Sequence, residues 1–303
     1  MIKSAGQAPP TGQGLQGLSP QKRLGQNFLW QKSVLNKIVA TATLSDQDLV
    51  LEIGPGLGSL TQILAKKANR VIAVEKDPRL IPILQSNLAN FNNIEIIEGD
   101  ILKCRFLNSK FQSPNSKQIQ NPKTQILNKY KVVANLPYYA ATHIIRQFLE
   151  AENPPELMVL MLQKEVAQRI CPSTSSGRGS KSPRMNLLAV SVQFYADVKI
   201  IGYVSKKAFW PKPKVDGAII KIKPLINADR KLINADLFFT IVKAGFSQPR
   251  KQLLNNLSKS LNLSREKVVV WLDKNKISPQ QRPAEVALEN WLALVKTFTT
   301  VLQ

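Results

Sequence analysis

The fold is decided by a run of β-forming residues that ends in a glycine-rich turn: Leu49-Val50-Leu51-Glu52-Ile53-Gly54-Pro55-Gly56-Leu57-Gly58. The run predicts a strand, and Leu60, Ile63 and Leu64 then fall on one face of a predicted helix. A strand, a glycine turn and a helix allow an adenosine-containing ligand to approach the backbone beside the helix N-terminus. The spacing is Gly-x-Gly-x-Gly instead of the dinucleotide pattern Gly-x-Gly-x-x-Gly, which favours a ligand without a pyrophosphate. Taken alone, such a turn is also typical of a tight strand-to-helix connection.

Two further predicted strands, at residues 70–75 and 93–98, are each followed or ended by a carboxylate. Glu75 comes about 20 residues after Gly54, the spacing of a carboxylate that holds ribose hydroxyls. Asp100 falls at the same edge of the predicted sheet, where it is placed to bind an adenine amino group. The alternatives are a solvated strand end for Glu75 and an Asx turn for Asp100.

A fourth predicted strand, at residues 131–135, ends in an amide and a proline turn. Asn135 is followed by Leu136 and Pro137, and then by the aromatic pair Tyr138 and Tyr139. An amide held rigidly at a strand end, beside an aromatic face, suits a flat ring that carries an exocyclic amino group. The alternative is a strand end followed by two core tyrosines.

The remaining pattern predicts an α/β fold followed by a helical region. A helix is predicted at residues 142–149, a buried strand at 157–162 and a last strand at 217–223, with weak strand-like alternation over 187–194. Alternating strands and helices indicate a mostly parallel sheet that is covered on both faces. After Pro224 the apolar residues have helical spacing.

These patterns divide the chain into three parts. Polar runs at 104–130 and 171–185 are interpreted as long surface loops. The predicted parts are a disordered tail (1–20), the α/β domain (21–223) and a small all-α domain (224–303).

The charge balance indicates a polyanionic partner. The 303 residues carry a net charge of +22, with a pI near 10.1. From residue 206 onward there are 18 basic and 7 acidic residues, and Arg250 and Lys251 are candidates for phosphate contacts. A generally basic proteome or an anionic membrane surface is the alternative explanation for the charge.

The numbers of cysteines and histidines and the lengths of the apolar runs indicate which class of protein this is. Two cysteines and one histidine do not form the pattern of a disulfide framework or a metal cluster. No run approaches the ~20 apolar residues of a membrane span, and the N-terminus lacks the apolar core of a signal peptide. We therefore expect a soluble protein of the cytoplasm, without a metal and without a membrane partner.

Five segments, in this order, resemble the ribosomal RNA adenine dimethyltransferases, and most closely the KsgA-type enzymes of the small subunit. They lie at residues 24–29, 52–58, 135–138, 162–169 and 209–216. The resemblance runs from about Lys22 to the end of the chain. It implies a Rossmann-like class I methyltransferase domain with a mostly parallel seven-stranded sheet, followed by a small all-α domain that binds RNA.

The resemblance also implies a methyl donor, S-adenosyl-L-methionine, which leaves as S-adenosyl-L-homocysteine. The donor site that it implies has five kinds of contact: Asn27 and Leu29 closing over the donor, Gly54 at its methionine end, Glu75 at its ribose, Asp100 at its adenine with Ile101 beside it, and Asn135 between donor and acceptor.

The acceptor that the resemblance implies is N6 of two adjacent adenosines in the 3′-terminal hairpin loop of 16S rRNA. The expected partner is 16S rRNA or the assembling 30S subunit, bound by a monomer. Because the N6 lone pair is delocalised into the purine ring, acceptors for its N–H bonds would favour attack on the methyl group. The expected acceptor contacts are Asn135 and Leu136 at the amino group, Tyr138 and Phe209 as stacking faces, and Lys212, Lys214, Arg250 and Lys251 at the RNA.

This chain departs from the family pattern at a few positions. Ala140-Ala141 stands where Ser or Thr is usual, Met185-Asn186 where Tyr-Gly is usual, and Pro249 where a basic residue is common. These departures bear on RNA docking more than on the donor site. Two alternatives are a large-subunit rRNA adenine N6-methylase of the macrolide-resistance type, and a nucleic-acid-binding relative that has lost catalysis.

Overall fold

The computed structural model describes residues 19–21, 24–104, 129–137, 140–171, 185–225 and 233–302. It contains two compact units, one within Met1–Ala167 and Lys199–Pro224 and the other within Gln168–Val198 and Leu225–Gln303. Most of the predicted tail and of the two predicted loops lies outside the described residues. Across the part of the chain that is described, no helix is long and apolar enough to span a membrane.

The first unit is built on a seven-stranded sheet. The chain has nine strands among the described residues: β1 Phe28–Leu29, β2 Leu49–Ile53, β3 Arg70–Glu75, β4 Ile94–Glu98, β5 Lys131–Asn135, β6 Leu157–Gln163, β7 Ala196–Val204, β8 Phe209–Trp210 and β9 Gly217–Pro224. The strand order in the large sheet is β4-β3-β2-β5-β6-β9-β7, and β1 pairs with β8 separately. Strands β2 to β6 pair in parallel and β9 runs antiparallel to β6. The predicted mostly parallel, seven-stranded sheet is confirmed.

Helices cover the sheet and explain why its central strands are continuously apolar. The helices that follow its strands are α1 Lys32–Ala42, α2 Thr61–Ala65, α3 Ile81–Asn87, α4 Ala141–Leu149 and α5 Lys164–Ile170. Ile38 of α1 and Val133 of β5 are fully buried in one apolar cluster. Because both faces of a parallel sheet are covered, its strands cannot alternate between apolar and polar residues.

The second unit is helical. Its helices are α6 Leu187–Tyr195, α7 Ala235–Gly245, α8 Leu253–Leu261, α9 Arg265–Lys274 and α10 Leu288–Leu302. Trp271 and Trp291 are fully buried in its core. A Cβ at Gly245 would lie 2.3 Å from Cη2 of Trp291, so α7 ends on a glycine where the indole approaches its backbone.

The division between the units differs from the predicted boundary at residues 168–198, which pack with the helical unit. The weak alternation over 187–194 forms helix α6, not a strand. Asn186 caps this helix through a hydrogen bond from Ala189 N to its side chain. Phe194 stacks on Phe238 with 4.1 Å between ring centroids, which draws α6 into the helical core.

Candidate active site

A cavity opens at the carboxyl edge of the sheet in the first unit. Its walls come mainly from five segments, at residues 24–29, 52–57, 74–76, 99–102 and 135–137. The ends of four parallel strands and the segment before α1 therefore meet there. The cavity brings together eight of the residues expected at the site: Asn27, Leu29, Gly54, Glu75, Asp100, Ile101, Asn135 and Leu136.

The turn after β2 uses two glycines for different reasons. Gly54 and Gly56 have φ of +66° and +60°, a region that side chains other than glycine rarely occupy. A Cβ at Gly54 would meet no atom within 4 Å, so the backbone there faces open space. A Cβ at Gly56 would lie 2.9 Å from Cδ1 of Phe28, so this position needs glycine for close packing as well.

Glu75 ends β3 as a buried, fixed carboxylate. The residue is only 6% exposed. Oε2 accepts a hydrogen bond from Gly56 N at 3.1 Å, and Oε1 accepts one from Asp77 N at 2.8 Å. Burial raises the pKa of Glu75, and these backbone donors oppose the shift. The backbone of Lys76 is a third donor to this carboxylate, which has about four lone-pair sites, so Glu75 can still accept a bond from a diol.

Glu52 is a functional candidate that the sequence analysis missed. It is 1% exposed in the middle of β2, and it lines the cavity. Burial raises the pKa of Glu52 to about 8, and the charge of Glu75 adds to the shift. Thr61 partly opposes it, but its hydroxyl geometry falls short of a hydrogen bond, so Glu52 Oε2 has no partner among the described residues. A lone acidic residue in an otherwise apolar strand was the feature that could have identified it.

The position of Asp100 is compatible with both interpretations from the sequence, a contact to the ligand and an Asx turn. Its Oδ1 accepts a hydrogen bond from Leu102 N at 3.1 Å, which is the Asx turn considered from the sequence. Its Oδ2 lies 2.9 Å from Nζ of Lys76. Asp100 also lines the cavity, so the turn holds the carboxylate at the site and does not remove it from there.

Asn135 ends β5 with its amide in a defined orientation. Its Nδ2 donates to the main-chain carbonyl of Asn27 at 3.0 Å. The side chain of Asn27 in turn donates to the carbonyl of Gly25, also at 3.0 Å. Only the nitrogen of an amide can donate to a carbonyl, so this contact decides which way the Asn135 amide points. Its Oδ1 remains as the acceptor at the cavity wall.

The N-terminal segment (residues 24–29) forms one wall of the cavity and is fastened at three points. Besides the contact with Asn135, Gln26 Nε2 donates to Oδ2 of buried Asp77 at 2.7 Å. Arg79 lowers the pKa of Asp77 through its hydrogen bonds, and Gln26 contributes to the same shift. Strand β1 pairs with β8, which is the third attachment. Asn27 and Leu29 are thereby held against the cavity.

The residues expected to contact the acceptor lie in different places in the structure. Phe209 does not line the cavity: it is 3% exposed and packs in the apolar core, because it pairs with Leu29 in the β1–β8 ladder. Its stacking role stays a prediction. Tyr138 lies outside the described residues. Lys212 and Lys214 are exposed in the first unit, and Arg250 and Lys251 are exposed in the second. Among the described residues, no group of three or more His, Cys, Asp or Glu could hold a metal ion.

The profile of the family described as ribosomal RNA adenine dimethylase matches residues 17–300. The chain belongs to this family. Two relatives carry the name ribosomal RNA small subunit methyltransferase A. The one from Dehalococcoides mccartyi is 40% identical over 282 residues, which cover 93% of this chain and 89% of the relative. The one from Bacillus licheniformis is 37% identical over 289 residues, with 94% of each chain covered.

Solved structures show the same fold for this member of the rRNA adenine dimethylases. The 23S rRNA methyltransferase ErmE superposes with a TM-score of 0.65 at 26% identity, covering 89% of this chain and 98% of its own. A dimethyladenosine transferase from Plasmodium falciparum superposes with a TM-score of 0.66 at 25% identity, covering 90% and 98%. The Rossmann-like methyltransferase fold is therefore confirmed, and the protein is an rRNA adenine methyltransferase by family.

Proposed function

We propose that this protein transfers two methyl groups from S-adenosyl-L-methionine to N6 of each of two adjacent adenosines in the 3′-terminal hairpin loop of 16S rRNA. The observation that carries the proposal is the fixed amide of Asn135, whose Oδ1 is left as an acceptor at the wall of a cavity shaped by Gly54, Glu75 and Asp100. The small-subunit name of the relatives supports the choice of 16S rRNA.

The cavity residues fit the donor. Glu75 would hold the ribose hydroxyls, Asp100 the adenine amino group with Ile101 beside it, and Gly54 the methionine end. Asn27 and Leu29 would cover it from the N-terminal segment. The unpartnered oxygen of buried Glu52 leaves a polar atom at the cavity wall that a polar group of the donor could contact. When bound, the donor supplies a sulfonium methyl group that is already activated, so the protein needs neither a metal nor a strong base.

The protein's own part in the reaction is to prepare the acceptor nitrogen. Oδ1 of Asn135 and the carbonyl of Leu136 would accept the two N–H bonds of the adenine amino group in the first transfer and the one that remains in the second. After each transfer the nitrogen would lose a proton to solvent, and the donor would leave as S-adenosyl-L-homocysteine. Those bonds favour a tetrahedral nitrogen, whose lone pair is then directed at the methyl group and no longer delocalised in the ring. Tyr138 and Phe209 are proposed to hold the ring, by stacking worth ~1–3 kcal/mol per base.

The substrate partner is proposed to be rRNA in the assembling small subunit, bound by a monomer in the cytoplasm. The net charge of +22 supports a polyanionic substrate. Arg250 and Lys251 in the helical unit, with Lys212 and Lys214 in the α/β unit, are proposed to contact its phosphates.

Two alternatives remain as outcomes of an experiment. The likeness to ErmE fits an enzyme that acts on large-subunit rRNA, although the small-subunit relatives favour the first proposal. The catalytically silent relative is disfavoured because Asn135, Glu75 and Asp100 are all present at one cavity.

The deciding experiment incubates the protein with labelled donor and unmethylated 30S subunits or, in parallel, 50S subunits, and maps the modified base. We expect label at adjacent adenosines of the 3′-terminal hairpin, and none with the Asn135→Ala variant. Label in large-subunit rRNA would transfer the proposal to the first alternative. Donor binding without transfer to either subunit would support the silent relative.

A further inference from the structure

A lysine-rich surface with one exposed aromatic ring lies outside the cavity. Tyr203, on β7, is 55% exposed. Nζ of Lys164 lies 5.0 Å from the centroid of its ring, in the geometry of a cation–π contact. We call Lys164, Tyr203, Lys206, Lys212 and Lys214 the edge surface. All five belong to the first unit.

The edge surface lies at the same edge of the sheet as Asn135. Lys164 directly follows β6, in which Met161 is the register partner of Asn135. The main-chain N–H of Lys164 donates to the carbonyl of Asp216, which lies just before β9. Carboxyl ends of parallel strands share one edge, so Lys164 and Asn135 are on the side of the sheet where the acceptor must arrive.

Hydrogen bonds tie the lysines of the edge surface into one structure. Asp216 accepts from the main-chain N–H of Lys206 at 2.9 Å. Nζ of Lys206 donates to the carbonyl of Lys214 at 3.3 Å. The segment between β7 and β9 is therefore held as a unit, and its exposed lysines project from a fixed backbone.

The edge surface is also continuous with the cavity wall. The segment that carries Lys206 leads directly into β8, which pairs with β1 of the N-terminal segment. Phe28 lines the cavity, and its ring stacks on Trp210 with 6.1 Å between centroids. A polymer that occupies the edge surface would thus lie against the same strand pair that borders the catalytic cavity.

The chemistry of the edge surface selects its partner. The edge surface as defined has four lysines, and Asp216, the acidic residue of the segment between β7 and β9, already accepts a hydrogen bond. Lysine clusters attract phosphates, and a half-exposed tyrosine offers a face on which a base can stack. Single-stranded nucleic acid provides both groups at regular spacing, whereas an anionic lipid surface provides only the charge.

We propose that Tyr203, backed by Lys164, stacks on an unpaired base of the substrate RNA outside the cavity, while Lys206, Lys212 and Lys214 contact the flanking phosphates. This inference rests on the proposed function only in taking RNA as the substrate. It adds a recognition contact outside the cavity, on β7 and at the start of α5.

The test measures fluorescence anisotropy of a labelled RNA that carries the 3′-terminal hairpin and its single-stranded flanks. Tyr203→Phe keeps the ring and should bind within about twofold of wild type. Tyr203→Leu keeps apolar area but loses the ring, and should bind roughly 5- to 150-fold more weakly. Val270→Ala, a change at a 60% exposed residue of the helical unit, is the matched control and should bind like wild type. Wild-type affinity in Tyr203→Leu would overturn the proposal.

Two further measurements keep folding and partner class distinguishable. Donor binding by calorimetry should be the same in the three Tyr203 proteins, which shows that Tyr203→Leu is folded. Lys212→Gln removes one proposed phosphate contact, so it should weaken RNA binding and lower the salt slope by roughly 0.7. Vesicles with anionic lipid are the second probe, and binding to them that depends on Tyr203 as strongly as RNA binding would overturn the assignment to RNA.

The experiments distinguish failure of the edge-surface proposal from failure of the proposed function. Methylation of 30S subunits by wild type, with unchanged RNA affinity in Tyr203→Leu, would overturn the edge surface and leave the function intact. RNA binding that requires the Tyr203 ring, without methylation of either subunit, would support the edge surface and overturn the function.

Discussion

Asn135 can serve as an acceptor because its amide nitrogen is already bound to the carbonyl of Asn27. Asn135→Ala removes the acceptor, and we expect turnover to fall by about 100-fold or more, as for loss of one oriented hydrogen-bonding group. Donor affinity should change by only a few-fold. Asn135→Asp should also be inactive, because it places a second oxygen against the carbonyl of Asn27.

Single-turnover transfer from labelled donor, together with calorimetry of donor binding, checks this prediction. Asn69→Ala is a suitable control, since Asn69 is exposed before β3. Turnover in Asn135→Ala equal to that of the control would remove Asn135 from the mechanism.

Glu52 makes a prediction about stability and pH. Its pKa is about 8 in the folded protein against 4.5 for the ordinary group, so the folded state keeps a proton that the unfolded state releases. The free energy of unfolding should therefore fall as pH rises from about 4.5 to about 8. Glu52→Gln cannot ionise, so it should lose less stability over that window. Some decrease should persist, because the pKa of Glu75 is raised as well.

Urea denaturation at pH 6 and pH 9 measures the effect in both proteins. Equal decreases in wild type and Glu52→Gln would mean that Glu52 does not hold the proton in the folded state.

The residues at strand ends were predictable, and those inside elements were not. Glu75, Asp100 and Asn135 follow recognisable apolar runs, and parallel strands bring their ends together. Glu52 lies within such a run, so its position gives no signal, and only its type, an acid among apolar residues, could have indicated a role. Phe209 is buried because it pairs with Leu29, a tertiary contact that the sequence pattern does not show, and its stacking role stays a prediction.

At the scale of elements, the segment between α7 and α8 depends on one buried amide. Asn256 is 3% exposed, and its Nδ2 donates to the carbonyls of Gly245 and Gln248 at 2.6 and 3.0 Å. Asn256→Ala leaves these carbonyls without that donor, so we expect the free energy of unfolding to fall by about 1–3 kcal/mol. RNA affinity should fall too, because Arg250 and Lys251 lie in the segment that is held.

Urea denaturation measures the stability of Asn256→Ala and of its control, Asn255→Ala, and fluorescence anisotropy measures their RNA affinity. Asn255→Ala changes a more exposed neighbour and should alter stability by less than about 0.5 kcal/mol. If the two variants lose the same stability, the amide of Asn256 does not hold the segment.

Strands and helices with a clear pattern of apolar residues were predictable from the sequence, whereas short or weakly patterned ones were not. The strands β2 to β6 correspond to clear apolar runs. Helix α6 was obscured by a weak alternation, and it is fixed by the Asn186 cap and by packing of Phe194 on α7. Strands β1 and β8 have two residues each, too few for any sequence period.

At the scale of the whole molecule, the net charge of +22 predicts RNA binding that weakens steeply with salt. If Arg250 and Lys251 contact phosphates, replacing both with alanine should lower the slope of log affinity against log salt by roughly 1.4. Lys267→Ala with Lys274→Ala removes the same charge from the exposed surface of α9 and is the matched control.

Anisotropy titrations between 50 and 300 mM salt give both slopes. Equal changes of slope in the two double variants would show that Arg250 and Lys251 contribute to RNA affinity only through the overall positive charge, without defined phosphate contacts.

The bond that orients Asn135 ends on a main-chain carbonyl, and this makes it indifferent to the identity of residue 27. A change of side chain at that position leaves the carbonyl in place, so it should not disturb the orientation of the Asn135 amide. Insertion or deletion of one residue between positions 24 and 27 is different, because it shifts the backbone by about 3.5 Å. The orientation of the Asn135 amide should therefore depend on the length of this segment and not on the side chain at position 27.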